Sequence, residues 1–208
     1  MQPHHKTPHS VFRGTALPFG IAATSLVATP EGWVRLQSLR PGDMVHTLDA
    51  GPLPLISLQQ PDTHPDGPAI CLPAGSFGNR TAQSLRPGQT VLLQSDVGEA
   101  QFGAADTLLP ALALLGWRGA CACAADAPFL IPRFAAGALI YVGPGLILSC
   151  PGPQPPCPHQ PFTAQAFAGL LANPGIPCLS LQQGLDLVNC LIAEDVGTAL
   201  GTRPQAAC

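Results

Sequence analysis

A nine-residue stretch occurs twice in this chain. Gln37-Ser-Leu-Arg-Pro-Gly-Asp-Met-Val45 returns as Gln83-Ser-Leu-Arg-Pro-Gly-Gln-Thr-Val91, with seven of nine positions identical at an offset of 46. In each copy Pro-Gly sits at the centre of a tight turn. Pro presets the first φ and Gly accepts a positive second one, which together favour a type II turn. Each turn leads into an apolar strand, Met44-Val-His-Thr-Leu48 and Thr90-Val-Leu-Leu93. Two similar strand–turn–strand units predict a pseudo-two-fold β fold, and two copies are too few for a solenoid.

Composition points the same way. Pro and Gly number 25 and 22 of 208 residues, about double their average usage. They interrupt helix interiors at a cost of roughly 3 and 1 kcal/mol respectively, so long helices and helical bundles are excluded. An apolar content of 46% with only 10% charged residues excludes disorder. A chain of this length holds one domain of ordinary size. The expected organisation is a loose polar tail over 1–17, carrying His4, His5 and His9, a β domain over 18–150, and a C-terminal region over 151–208. That last region combines a proline-rich connection with a short helical segment.

Local patterns fill in the elements. Ser25-Leu-Val-Ala-Thr29, Pro30-Glu-Gly32 and Trp33-Val-Arg-Leu-Gln37 read as a hairpin, with Val34, Leu36 and Leu39 facing inward. Residues 134–150 are apolar but broken by Gly143-Pro-Gly145. A membrane span needs about 20 residues, so two buried strands and a turn are expected instead. Residues 107–117 predict one or two helical turns. Residues 163–172 predict a short helix stopped by Asn173-Pro174, and Ser180 with Gln183 makes a capping box opening a second. Leu181, Leu185, Val188 and Ile192 would line one face of that second helix.

A net charge of −3 with nine basic residues gives no electrostatic footprint for nucleic acid. No apolar core of signal-peptide type occurs at the N-terminus, so a cytoplasmic location is the default expectation. An unidentified protein partner is the partner class left open. Eight cysteines occur without a Cys-x-x-Cys pair. The nearest arrangement to a metal site is Cys121-x-Cys123 with Cys150, Cys157 and His159, against the simpler reading of buried thiols packing as small apolar groups. No cofactor is expected.

Thr24-Ser-Leu-Val-Ala-Thr-Pro30, Glu31-Gly32, Leu39-Arg-Pro-Gly-Asp-Met-Val45 and Thr47-Leu-Asp49 together resemble the opening of bacterial Hint domains. These are the hedgehog/intein autoprocessing modules, here of the short stand-alone kind. Pro73-Ala-Gly-Ser-Phe-Gly78 and Leu85-Arg-Pro-Gly-Gln-Thr-Val-Leu-Leu93 resemble the second block of that family, and Phe102-Gly103 and Leu108-Leu-Pro-Ala111 the segment after it. The resemblance is specific from residue 20 to about 115 and fades through about 150. It implies a mainly β fold, a Hint-like pseudo-two-fold horseshoe of short strands, to which the sequence adds a small helical C-terminal extension.

The chemistry the resemblance implies is self-cleavage. A first-position cysteine attacks the preceding peptide carbonyl, and a histidine in the second block protonates the departing amine. A thiolate is the competent nucleophile, and the leaving nitrogen needs a general acid near neutral pH. Here the nucleophile position falls on Gly20 and the histidine position on Gln89, whose amide has no proton to transfer at a useful pKa. The expectation is a degenerate Hint domain, without self-cleavage, acting as a structural or interaction module. Two rivals stand beside it: an autocatalytic domain with a non-standard nucleophile, and a cysteine-based metal-binding protein. For the first rival the candidates are the hydroxyls of Thr24 and Ser25 and the ring of His46. The simpler readings are strand-start residues for Thr24 and Ser25 and a half-buried, backbone-bonded histidine for His46. Asp43 and Asp49 read as turn caps. Asn189-Cys190 resembles the end of an intein, but falls inside the expected helix, where the side-chain amide is held away from the following carbonyl.

Overall fold

The computed structural model describes residues 17–61, 67–152 and 175–199. Short strands dominate them. β1 (Ile21–Ala22) is followed by β2 (Leu26–Thr29) and β3 (Gly32–Arg35), which pair as the expected hairpin from Leu26↔Arg35 to Thr29↔Gly32. A 3-10 turn over Leu36–Ser38 leads to β4 (Met44–Thr47) and β5 (Gly51–Pro54), and then come β6 (Ser57–Gln59), β7 (Ala69–Leu72), β8 (Gln83–Leu85) and β9 (Thr90–Gln94). A helix α1 (Asp96–Phe102), N-capped by the Ser95 side chain, precedes β10 (Asp106–Pro110). β11 (Cys121–Cys123), β12 (Phe129–Arg133), the hairpin β13 (Ala138–Val142) and β14 (Leu146–Cys150), and helix α2 (Leu181–Ala199) complete the order. At 19 residues α2 corrects the exclusion of long helices and the short helix expected here, because this stretch holds no proline and only two glycines, Gly184 and Gly197.

The strands form two sheets. One has six strands in the order β11-β7-β8-β1-β12-β6. The other has eight, with β10-β9-β14-β13-β2-β3 as its path and β4 joining through β13 with β5 beside it. One apolar cluster joins them and includes Ile21, Leu85, Val91, Leu109, Leu148 and, from α2, Leu187. The apolar stretch 134–150 is the buried β13–β14 hairpin, as expected. No helix among the described residues is long and apolar enough to cross a membrane.

The two repeat copies use the same dipeptide differently. In the first, Asp43 N donates to Arg40 O at 3.0 Å and Gly42 takes φ +98°, which makes the expected type II turn. In the second, Gln89 N donates to Arg86 O at 2.9 Å, but Gly88 does not take the positive φ of type II. Its missing side chain serves packing instead. A Cβ on Gly88 would stand 2.6 Å from Leu17 O, and Gly88 N donates to Pro18 O at 2.8 Å. The glycine lets the 17–20 segment lie directly on the turn.

Residues 107–117 depart from the helical expectation. The first part is β10, paired with β9 from Asp106↔Gln94 to Pro110↔Thr90, and only Ala111–Leu114 forms a 3-10 turn. Pairing with a neighbouring strand overrides the weak local preference, and Pro110 stands at the strand's end, where a missing N–H costs least.

The C-terminal helix opens on the expected box. Gln183 Oε1 accepts from Ser180 N at 2.9 Å, and Ser180 Oγ accepts from Gln183 N at 3.3 Å. Its most buried face is Gly184, Leu187, Val188 and Leu191, with Leu181, Leu185 and Ile192 at the margins. The face is rotated from the expected one because Gly184 approaches the core closely: a Cβ there would be 3.0 Å from Ala113 Cβ. Trp117 Nε1 donates to Asp195 Oδ2 at 3.0 Å and fixes the helix further along. Just before the helix, residues 177–179 run beside β10, with Leu108 N donating to Pro177 O and Leu179 N to Leu108 O. The helix expected over 163–172 lies outside the described residues, as does the tail over 1–16.

Candidate functional site

β1 lies inside the six-stranded sheet, between β8 (Ile21↔Leu85) and β12 (Ala22↔Phe129). Gly20 is the buried residue immediately before it. Gly20 O accepts from Arg86 N at 2.9 Å, so the segment carrying Gly20 runs beside the turn that carries Gln89. The structure therefore brings the two sequence-assigned positions, 20 and 89, onto adjacent segments. Gly20 has no side chain, and Gln89 carries a carboxamide.

The space at residue 20 is occupied. A Cβ built there would lie 3.0 Å from Phe129 Cβ, 3.4 Å from Arg86 Cγ and 3.6 Å from Pro61 Cγ, and Gly20 has φ +146°. Any side chain would have to displace these neighbours while holding a backbone conformation that L-residues disfavour. Arg86 is 1% exposed. Its guanidinium lies 4.3 Å from the Phe129 ring centroid, and its Nη1 donates to the carbonyls of Gly67 and Pro68. A buried cation persists only when paired in this manner, here through carbonyl dipoles and a ring face.

Gln89 is likewise buried and hydrogen-bonded. It is 2% exposed, and its Nε2 donates to Ser149 O at 2.7 Å and Thr90 O at 3.3 Å. Its carbonyl accepts from Ala111 N at 2.8 Å. The side chain thus ties the start of β9 to β14 across the larger sheet.

The remaining candidates are dispersed. Thr24 is exposed in the turn after β1, two residues before β2 begins at Leu26, and so does not take the strand-start role expected of it. Ser25, 6% exposed, donates its backbone N–H to Ala22 O and accepts from Leu36 N. His46 lies on β4 of the other sheet, opposite Pro52. It is half-buried, and among the described residues its ring has no hydrogen-bond partner, so the expected backbone bond is not made. Asp43 caps its turn as expected, Oδ2 accepting from Arg40 N at 2.7 Å. The turn around Asp49 is closed instead by Thr47 Oγ1, which accepts from Ala50 N and donates to Gly51 O. Asn189 and Cys190 lie within α2.

The cysteines divide between the sheets. Cys121 and Cys123 are on β11, whereas Cys150 is on β14, and Cys157 and His159 lie outside the described residues. No group of three or more His, Cys, Asp or Glu side chains able to hold a metal ion exists among the described residues. The expectation of generally buried thiols needs correction: Cys150 alone of the six described is buried, and Cys121 is exposed. The reason is that β11 is an edge strand with β7 as its one neighbour. Sequence reasoning missed Arg86 and Phe129 as occupants of the site. Arg86 shares its repeat position with Arg40, which is exposed, and no local signal separates the two.

Residues 20–127 match the family model of the Hint domain. No curated protein matches the chain. Among solved structures it is similar to the one titled "Crystal structure of MchDnaB-1 intein", with 16% identity, 61% of this chain and 98% of that chain covered, and a TM-score of 0.41.

Proposed function

The chain belongs to the Hint domain family, and from that premise we propose that it is a degenerate Hint domain, without self-cleavage, that serves as a structural or interaction module for a protein partner. The observation that carries this reading is the filling of the residue-20 site by Phe129, Arg86 and Pro61 around a glycine at φ +146°. An acyl shift would form a bond from a side-chain sulfur or oxygen of residue 20 to the Phe19 carbonyl carbon and break the peptide C–N bond. Glycine supplies no such atom. The departing amine would need a proton, and Gln89 spends its amide hydrogens on Ser149 O and Thr90 O. Thr24, four residues further along in an exposed turn, could shift only onto its own preceding carbonyl, that of Ala23, and so cannot cut after Phe19.

The reading includes a pseudo-two-fold β unit spanning 18–150, on which the C-terminal helix packs. Its support is the hairpin β13–β14, flanked by the strands that follow the two repeat turns. β4 meets β13 at Thr47↔Ile140 and β9 meets β14 at Val91↔Leu148, with Ile140 and Leu148 equidistant from Pro144.

The test is the intact mass of freshly expressed protein, with and without dithiothreitol and hydroxylamine. A single full-length mass under every condition is expected. A fragment ending at Phe19, or one released only by hydroxylamine, overturns the reading.

A further inference from the structure

We propose that Cys71 and Cys121 are a reversible dithiol–disulfide site at the edge of the six-stranded sheet, with Cys123 as an adjacent third thiol, oxidised by a small disulfide such as glutathione disulfide. The register carries the assignment. β11 pairs antiparallel with β7 with Cys121 directly opposite Cys71, and Cys123 two residues along the same strand, opposite Ala69. Directly opposed residues share a face with Cβ atoms about 4.5–5.5 Å apart, and a residue two further along the strand shares that face too.

A disulfide needs Cβ atoms about 3.5–4.5 Å apart. The pair therefore requires a small inward movement, and β11 is well placed to supply it, being a three-residue edge strand with one neighbour. Residual strain in such a bond makes it readily reducible, the property that separates exchangeable disulfides from permanent ones. Exposure sets the order of events. Cys121 is exposed, whereas Cys71 and Cys123 are half-buried, and burial, reinforced by the neighbouring thiols, raises the Cys71 pKa. An external disulfide thus reaches Cys121 first.

The exchange balances in two steps. The Cys121 thiol gives its proton to solvent, and its sulfur attacks one sulfur of glutathione disulfide. A Cys121–glutathione bond forms, the glutathione S–S bond breaks, and one glutathione leaves and takes up a proton. Cys71 then loses its proton and attacks the Cys121 sulfur, which expels the second glutathione. Two thiols are oxidised and one glutathione disulfide is reduced to two thiols. The bond pins the sheet edge and closes the segment 72–120.

The test equilibrates the full chain in glutathione buffers of rising disulfide fraction, alkylates the remaining thiols and maps the digested peptides. The expected result is a Cys71–Cys121 linked peptide that appears within the buffer range and vanishes with dithiothreitol. The thermal midpoint should rise on oxidation, and Cys121→Ser should abolish both the link and the rise while leaving the circular dichroism unchanged. Cys71 and Cys121 that stay alkylatable at every ratio, or that carry glutathione without cross-linking, overturn the proposal. A Cys71–Cys123 link in its place also overturns it.

Discussion

Arg86 and Phe129 stack with the guanidinium 4.3 Å from the ring centroid, and both flank the position a side chain on residue 20 would fill. Together they pack the end of β8 against β12. On the function proposed above, substitutions at these residues act on stability rather than on cleavage.

Restoring the missing groups should therefore not restore cleavage. Gly20→Cys, alone or with Gln89→His, is expected to yield one uncleaved mass, insensitive to hydroxylamine. Gly20→Cys should also cost about 1–3 kcal/mol of stability, from the positive φ and the crowding. Urea unfolding together with intact-mass measurement checks both halves of this expectation.

The two arginines of the repeat make a matched pair. Arg86→Ala removes a buried cation together with its ring contact, leaves the Gly67 and Pro68 carbonyls short of a donor, and should cost about 2–5 kcal/mol. Arg40→Ala, at the exposed equivalent position, should change stability by less than about 0.5 kcal/mol. Equal losses measured by denaturant unfolding would refute the buried role of Arg86.

Gln89→Leu keeps approximate volume and removes the 2.7 Å bond to Ser149 O. The buried carbonyl loses its side-chain donor, at an expected cost of about 1–3 kcal/mol. Faster amide exchange along β9 and β14 than along β2 and β3 would locate the loss at this bridge.

Stability should fall on the alkaline side. Burial pushes the Cys178 thiol up to about 11 from the ordinary 9.0, and burial raises Cys150 as well, with Arg133 opposing it in part. A raised folded-state pKa means the fold holds the proton that the unfolded chain releases. The contribution is complete below the unfolded value and is lost as pH rises through the folded one, at up to about 1.4 kcal/mol per pH unit for each group. Urea midpoints measured between pH 9 and 11 should decline, and Cys178→Ala should make the decline shallower.

The hairpin over 25–37, the first LRPG turn and the capping box at Ser180 were legible because each is settled by residues a few positions apart. The roles of Gly88 and Arg86 were not. Their local sequences match those of Gly42 and Arg40, and what distinguishes them is contact with Leu17, Phe129 and Gly67, all distant in the chain. The opposition of Cys71 and Cys121 was hidden for the same reason, since the register between β7 and β11 is set by packing across the intervening segment. That residue 20 is a glycine is plain in the sequence, whereas the packing of Phe129, Arg86 and Pro61 around it was not.

The bonds from Pro177 and Leu179 to Leu108 have a colloidal consequence. β10 ends one side of the larger sheet, and an uncovered strand there would offer its amides and carbonyls as a template for another molecule. By occupying that rim, residues 177–179 act as a guard against self-association. Removing them would leave the β10 backbone at Leu108 open to pairing with another strand.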